Sequence, residues 1–194
     1  MVRDFAEILR SGVTLRVLLI AAATAGVLGL LVRFVFGPIY RGAAGFLPFD
    51  LQFPLTKFMI AVELGAIDKA AAMMPYAFFV AADLTYMLAA ASLITLGWLW
   101  LFAKFPMPLF AFLRRGGVAM LPFYVVILDI VTKVEFFRLI GGLSGEDYAD
   151  ALEFSVTVHR LKFALMEIRN YLTAGFVLAA VFGIFFARTS RARS

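Results

Sequence analysis

The sequence has no cysteine and a single histidine, His159. The lack of cysteine excludes disulfides, thiolate nucleophiles and cysteine-ligated metals. One histidine leaves too few imidazoles for a histidine-rich metal or haem site. Motifs for a catalytic nucleophile are missing as well, so we predict no catalytic residue, no cofactor and no metal.

Charged residues are also scarce. They make up 16% of the 194 positions, against 63% for hydrophobic residues, and the mean hydropathy is +0.95. This composition leaves too little polar surface to cover a water-soluble globule of this size. Because hydrocarbon offers the backbone no hydrogen bonds, a spanning segment must be a helix or part of a closed barrel, and long apolar runs favour helices. The sequence therefore predicts an all-α, polytopic membrane protein with a single domain, residues 1–194.

Four apolar stretches are long enough for a spanning helix of about 20 residues. They predict spans at residues 17–36, 76–102, 118–140 and 165–187, the last preceded by an amphipathic extension at residues 147–164. Glycines and prolines in residues 37–53 predict a loop after the first span. The next helical pattern, residues 54–64, is too short to span, and we expect it to lie flat at the outer interface. The expected fold is a four-transmembrane-helix bundle with an interfacial helix between spans 1 and 2.

A cleaved signal peptide is the alternative interpretation of the first apolar stretch. Asp4 and Glu7 precede the stretch, and no small-residue cleavage site follows it. Signal peptides begin with a basic segment and end at small residues, so both features favour a retained span.

Basic residues are unevenly distributed along the chain. With both termini in the cytoplasm, the cytoplasmic segments hold nine Lys/Arg and two Asp/Glu, and the other residues hold nine Lys/Arg and eleven Asp/Glu. The nine are Arg3, Arg10, Arg16, Lys104, Arg114, Arg115, Arg188, Arg191 and Arg193. This excess follows the positive-inside rule and predicts a multi-pass protein of the cell inner membrane with both termini cytoplasmic. The net charge of +5 then requires only membrane lipid as a partner, and we expect no nucleic acid to bind.

Ionisable side chains interrupt the apolar helices and form the candidate ligand-binding set. Its members are Asp83, Asp129, Lys133, Glu135, His159, Lys162 and Arg169. The last three lie on one face of the final helix, because they are spaced three or seven residues apart. An unpaired ion in hydrocarbon costs at least about 2.5 to 3.5 kcal/mol on insertion scales, so we expect these groups to pair.

Two members of this set lead to specific expectations. Asp129 and Lys133 stand one helical turn apart and should pair within their helix. Asp83 has no nearby cation in its own helix. It should therefore pair with Lys162, with Arg169 or with a residue of another helix, or else be protonated.

The set has a functional and a structural interpretation. In the first, it forms a polar pocket, open to the outer face, that binds a small molecule, a lipid head group or an ion. In the second, it is an ion-pair network that fixes the register of the helices. His159 is correspondingly either a hydrogen-bonded helix residue or a ligand or proton shuttle.

The segment FDLQFPLTKFMIAVELGAIDKAAAMMPYAFFVAADLTYML, followed by LPFYVVILDIVTKVEF and HRLKFALMEI, resembles a broad group of uncharacterised bacterial four-helix membrane proteins. The matching positions are Asp50, Leu64-Gly65, Tyr76, Asp83 and Asp129. The chain departs from that group's pattern after Gly65 and after Asp129. The resemblance implies a fold more than an activity. The architecture is also similar to that of the sterol-isomerase and sigma-2-receptor type of bundle, in which acidic residues line an intramembrane pocket.

These observations favour a non-enzymatic membrane protein that acts as an accessory subunit of a larger complex or as a binding protein. One alternative is a binder or transporter of lipid or small molecules with an outer-leaflet polar pocket. Another is an intramembrane acid/base enzyme such as an isomerase. The expected partners are membrane lipid and, for an accessory subunit, other membrane protein subunits.

Overall fold

The computed structural model of the protein describes residues 14–104, 108–115 and 117–191. Helices account for 90% of the structure, and the described residues contain no strand. The predicted all-α class is therefore confirmed. Five of the charged residues used to predict the topology lie outside the described residues: Arg3, Asp4, Glu7, Arg10 and Arg193.

The first helix is longer than the sequence indicates. It consists of α1 (Leu15–Leu31), a π-helical turn (Val32–Phe36) and α2 (Gly37–Ala44). The hydroxyl of Thr14 caps its start by accepting a hydrogen bond from the amide of Val17. It ends at Gly45, whose φ of 87° is the left-handed conformation common at helix ends.

The expected loop from residue 37 is therefore wrong over residues 37–44. Gly37 and Pro38 do not end the helix, because the π turn shifts the hydrogen-bond register at this point. The amide of Gly37 donates to the carbonyl of Val32, five residues back, and Pro38 has no amide hydrogen that would need a partner.

A short connection follows and inserts into the bundle. The 3₁₀ turn Phe49–Leu51 buries Phe49 and Asp50. Helix α3 (Lys57–Ala66) is capped by Thr56 and overlaps the expected short helix at residues 54–64. Its position at a membrane interface stays a prediction.

Four further helices follow among the described residues. Helix α4 (Lys69–Lys104) is capped by Asp68, whose carboxylate accepts from the amides of Ala70 and Ala71. Helix α5 (Pro108–Arg115) lies in the connection to α6 (Leu121–Ile140), which begins after the 3₁₀ turn Val118–Met120. Helix α7 (Gly145–Arg191) contains both the last predicted span and its amphipathic extension.

Three of these helices are long and apolar enough to cross a membrane. They are Leu15–Ala44, Lys69–Lys104 and Gly145–Phe182, and only 11% of the apolar window in the first is buried. Apolar surface of this extent is unstable in water, which indicates a membrane-associated protein. Helix α6 does not meet the same criterion, because Asp129, Lys133, Glu135 and Arg138 interrupt it. The fourth span therefore stays a prediction.

Helix α6 packs along α4 and α7, and α1 and α2 pack along α4. An aromatic core lies at the end of the bundle where α2, the 3₁₀ turn and α4 meet. Phe49 packs on Phe136 with ring centroids 4.9 Å apart, and Tyr40 packs on Tyr76 at 5.4 Å. This core surrounds the charged residues described next.

Candidate functional site

Five charged side chains from four elements meet inside the bundle. Asp50 comes from the 3₁₀ turn, Asp83 from α4, Asp129 and Lys133 from α6, and Lys162 from α7. We call these five residues the ion cluster. Each of them is at most 5% exposed, so their charges interact in a region of low dielectric constant.

Lys133 lies at the centre of the ion cluster. Its Nζ is 2.7 Å from Oδ2 of Asp83 and also contacts Oδ2 of Asp129. The Nζ of Lys162 is 2.9 Å from Oδ1 of Asp129, so this carboxylate bridges the two lysines. The expected pairing of Asp129 with Lys133 is confirmed. The partner of Asp83 is Lys133, on another helix, and not Lys162 or Arg169.

Asp50 completes the ion cluster from outside the long helices. Its Oδ1 lies 3.6 Å from the Nζ of both Lys133 and Lys162, and its Oδ2 accepts a hydrogen bond of 3.1 Å from the hydroxyl of Tyr76. Burial raises the pKa of the Asp50 carboxyl, but the two ammonium groups and the hydrogen bond from Tyr76 together hold this pKa below its usual value. These neighbours favour the carboxylate form of Asp50.

Asp50 and Tyr76 were not among the candidates chosen from ionisable residues in the apolar helices. Asp50 lies in a connection, where helical periodicity gives no information about burial, and tyrosine is common in apolar segments for other reasons. The motif resemblance is the signal that could have found them, because Asp50, Tyr76, Asp83 and Asp129 are four of its matching positions.

Three carboxyls face two ammonium groups in the ion cluster, so one carboxyl has no cation of its own. Unpartnered polar atoms lie close by. Within the described part of the chain, four buried side-chain atoms lack a hydrogen-bond partner: Tyr40 Oη, Asp50 Oδ1, Ser155 Oγ and His159 Nδ1. Such atoms are usually satisfied by ordered water.

His159 borders the ion cluster without joining its ion pairs. Its Nε2 lies 3.0 Å from the backbone carbonyl oxygen of Gln52. A carbonyl oxygen only accepts, so Nε2 carries the hydrogen and Nδ1 of the neutral ring is an acceptor. The geometry agrees with the interpretation of His159 as a hydrogen-bonded helix residue.

Two candidates from the sequence lie elsewhere. Glu135 accepts hydrogen bonds of 3.0 and 2.9 Å from Arg138, one turn further along α6. Arg169 is half-buried and donates to the side chain of the neighbouring Asn170. The structure thus brings together Asp83, Asp129, Lys133 and Lys162, places His159 beside them, and separates Glu135 and Arg169 from the ion cluster.

An open groove of about 890 Å³ runs beside α1 and α2 and reaches Asp83. We call it the arginine groove, because the exposed side chains of Arg33 and Arg41 line it. Tyr86 and several apolar side chains form much of the remaining wall, with Gly42 on α2. Its volume lies within the range of about 300 to 1,000 Å³ typical of ligand pockets.

The π turn explains why both arginines line one groove. In a regular α-helix, residues eight positions apart differ in direction by about 80° around the axis. A π turn accommodates about one extra residue, which reduces the offset between Arg33 and Arg41 to about 20°. The turn favours glycine at position 37, since a Cβ there would stand only 3.1 Å from the carbonyl oxygen of Val32.

Arg41 also lines a second cavity, of about 650 Å³, together with Gln52 and Glu63. The amide of Gln52 donates to Oε2 of Glu63 at 2.9 Å. Burial raises the pKa of the Glu63 carboxyl, although the hydrogen bond from Gln52 opposes this shift.

Comparison of the chain with protein-family models, with curated proteins and with solved structures finds no significant match.

Proposed function

We propose that the chain is a four-span protein of the inner membrane with both termini cytoplasmic. The 20 residues of α6 extend about 30 Å, the thickness of the hydrocarbon core. Asp129 and Lys133 on α6 are paired with residues of α4 and α7, so their charges are compensated within the bundle. The basic residues at the connection between α4 and α6 support the same topology by the positive-inside rule.

Within this topology, the function that the geometry supports best is the binding of an amphipathic molecule in the arginine groove. The observation that carries this proposal is that an open groove of about 890 Å³ reaches Asp83, a buried member of the ion cluster. Apolar walls with a few convergent polar groups are typical of ligand sites. A network that only fixed helix register would not require an open groove at one of its ions.

In this proposal, the ion cluster is the support that positions Asp83. Lys133 holds Oδ2 of Asp83 from the neighbouring helix, and Asp129 and Asp50 surround the same ammonium group. The accessory-subunit hypothesis, which the sequence favoured, and the acid/base enzyme are alternatives. Both carboxyls available for acid/base chemistry, Asp83 and Asp129, already contact a lysine, which favours binding over catalysis.

Filling the arginine groove tests this proposal. A Cβ at Gly42 would meet no atom within 4 Å, so the side chain of Gly42→Leu is expected to project into the groove without displacing the helix. Gly26→Leu is the matched control. Gly26 lies in α1, which the π turn joins to α2, and a Cβ there would also meet no atom within 4 Å, but Gly26 does not line the groove.

The measurement is native mass spectrometry of protein purified in a mild detergent, which counts the amphiphiles that stay bound. We expect wild type and Gly26→Leu to retain a bound amphiphile and Gly42→Leu to lose it. Equal retention in Gly42→Leu would show that the arginine groove is not the binding site.

A further inference from the structure

The two arginines of the arginine groove have no anionic partner within the described part of the chain. The ion pairs there involve neither Arg33 nor Arg41, and the Arg33 guanidinium carbon lies 6.0 Å from the centroid of the Phe34 ring. Asp83, the acid that lines the same groove, is paired with Lys133. The groove therefore carries two arginines that form no ion pair with the described residues.

Guanidinium groups bind carboxylate and phosphate oxygens particularly well. Each is planar and offers five donors in a fixed arrangement that matches the oxygens of a phosphate. Arg33 and Arg41 are eight positions apart, so about 12 Å separates them along the helix, and the π turn directs both toward the groove. Two extended arginine side chains can converge on one phosphate across this separation.

Asp83 supplies a second element of recognition. Lys133 occupies its Oδ2, while the hydrogen bonds and ion pairs among the described residues leave Oδ1 unused. Asp83 also lines the groove. An acceptor in this position fits a donor group, an ammonium or a hydroxyl, on the same ligand.

In the proposed topology, the arginine groove lies toward the outward end of the first span, the end that is nearer the lipid phosphates of the outer leaflet. Arg33 lies near the outward end of the span predicted at residues 17–36, and Arg41 lies about two helical turns beyond Arg33. Apolar side chains of the same helix, such as Leu30 (59% exposed) and Phe34 (65% exposed), form a surface along which acyl chains can extend. The interface is where basic side chains meet head groups.

Resting on the proposed binding function, we infer that the molecule in the arginine groove is a membrane phospholipid. Its phosphate binds Arg33 and Arg41, and the ammonium or hydroxyl of its head group donates to Asp83. Phosphatidylethanolamine and phosphatidylglycerol both have this combination of groups, whereas diacylglycerol has no phosphate and phosphatidic acid has no donor beyond the phosphate itself.

The test uses the full chain, delipidated in detergent and titrated with these four lipids at identical acyl chains, and with inorganic phosphate. Binding is measured by native mass spectrometry. We expect phosphatidylethanolamine and phosphatidylglycerol to bind at least tenfold more tightly than diacylglycerol, with phosphatidic acid between them and inorganic phosphate unbound. Inorganic phosphate binding as tightly as the lipids would overturn the assignment to a phospholipid.

Variants separate the two parts of the inference. The double variant Arg33→Gln with Arg41→Gln should lose at least tenfold in affinity for the phospholipids and none for diacylglycerol, whereas Arg160→Gln, an exposed arginine of α7, should leave every affinity unchanged. Asp83→Asn should lower the affinity for phosphatidylethanolamine toward that for phosphatidic acid.

Failure of this inference differs from failure of the proposed function. If diacylglycerol binds as tightly as the phospholipids and Gly42→Leu abolishes binding of both, the groove binds amphiphiles but does not recognise phosphate. If wild type binds none of the lipids, the proposed function itself is wrong.

Discussion

The Nζ of Lys133 lies 2.7 Å from Oδ2 of Asp83, and this contact joins α6 to the carboxylate at the end of the arginine groove. Lys133 is 1% exposed and faces three carboxylates. Removal of its ammonium group would leave three acids with only Lys162 as a counterion. The ion cluster is therefore more sensitive to Lys133 than to any of its single acids.

Replacement of Lys133 by methionine should be strongly destabilising. Breaking a buried ion pair by removing one partner costs about 3 to 5 kcal/mol, because the remaining charge stays buried without compensation. The free energy of unfolding, measured in mixed micelles, should fall by this amount for Lys133→Met. Lys57→Met is the control, since the pair of Lys57 with Glu153 is exposed and contributes about 1 kcal/mol or less. Equal losses in the two variants would contradict the central role of Lys133.

Asp129→Asn should cost more stability than Asp83→Asn. Either change leaves two carboxylates facing two ammonium groups, so the net charge of the ion cluster is the same in both variants. Asp129 contacts both lysines, whereas Asp83 contacts only Lys133. We expect a loss on the order of 3 kcal/mol for Asp129→Asn and less than half of it for Asp83→Asn. The reverse order in thermal denaturation would refute the described geometry.

Tyr40 and Tyr76 form a matched pair for measuring the hydrogen bond to Asp50. Both are fully buried, with ring centroids 5.4 Å apart. Tyr76→Phe removes the donor to Oδ2 of Asp50 and should cost about 1 to 3 kcal/mol. Tyr40→Phe removes a buried hydroxyl that lacks a hydrogen-bond partner within the described residues, so its effect should be close to zero or stabilising. A comparable loss for Tyr40→Phe would reveal a bound partner at this hydroxyl.

The proposed topology can be tested with single cysteines, because the natural chain has none to give background labelling. Lys104→Cys at the end of α4 should react with a membrane-impermeant maleimide only from the cytoplasmic side. Lys57→Cys at the start of α3 should react only from the opposite side. Both positions are exposed, so failure to react would not follow from burial. Labelling of both from one side would exclude four spans with cytoplasmic termini.

The local part of the ion cluster was predictable from the sequence, and the contacts between helices were not. Asp129 and Lys133 are one turn apart, so their pairing follows from helix geometry alone. Which lysine pairs with Asp83 depends on the register between α4 and α6, and apolar periodicity does not specify this register. Asp50 enters the cluster from a connection, where burial has no repeating pattern.

The fold, too, was predictable from the sequence in some parts and not in others. Long apolar runs were sufficient to predict the long helices, because a helix is the form that satisfies the backbone in hydrocarbon. Gly37 and Pro38 were misleading, since this pair usually ends a helix. The helix continues through them because the amide of Gly37 bonds to Val32 and Pro38 falls in the first turn of α2, where proline is tolerated. Only the backbone geometry reveals that Arg33 and Arg41 share a groove.

The composition of the ion cluster also constrains the biogenesis of the proposed bundle. The ribosome synthesises α4 before α6, so Asp83 is made 50 residues ahead of Lys133, the lysine that pairs with it. A lone carboxylate enters hydrocarbon only at a substantial cost. In the proposed topology we therefore expect Asp83 to enter the translocon as a neutral acid or to wait near its polar edge until Lys133 arrives, so stable integration of α4 should require α6.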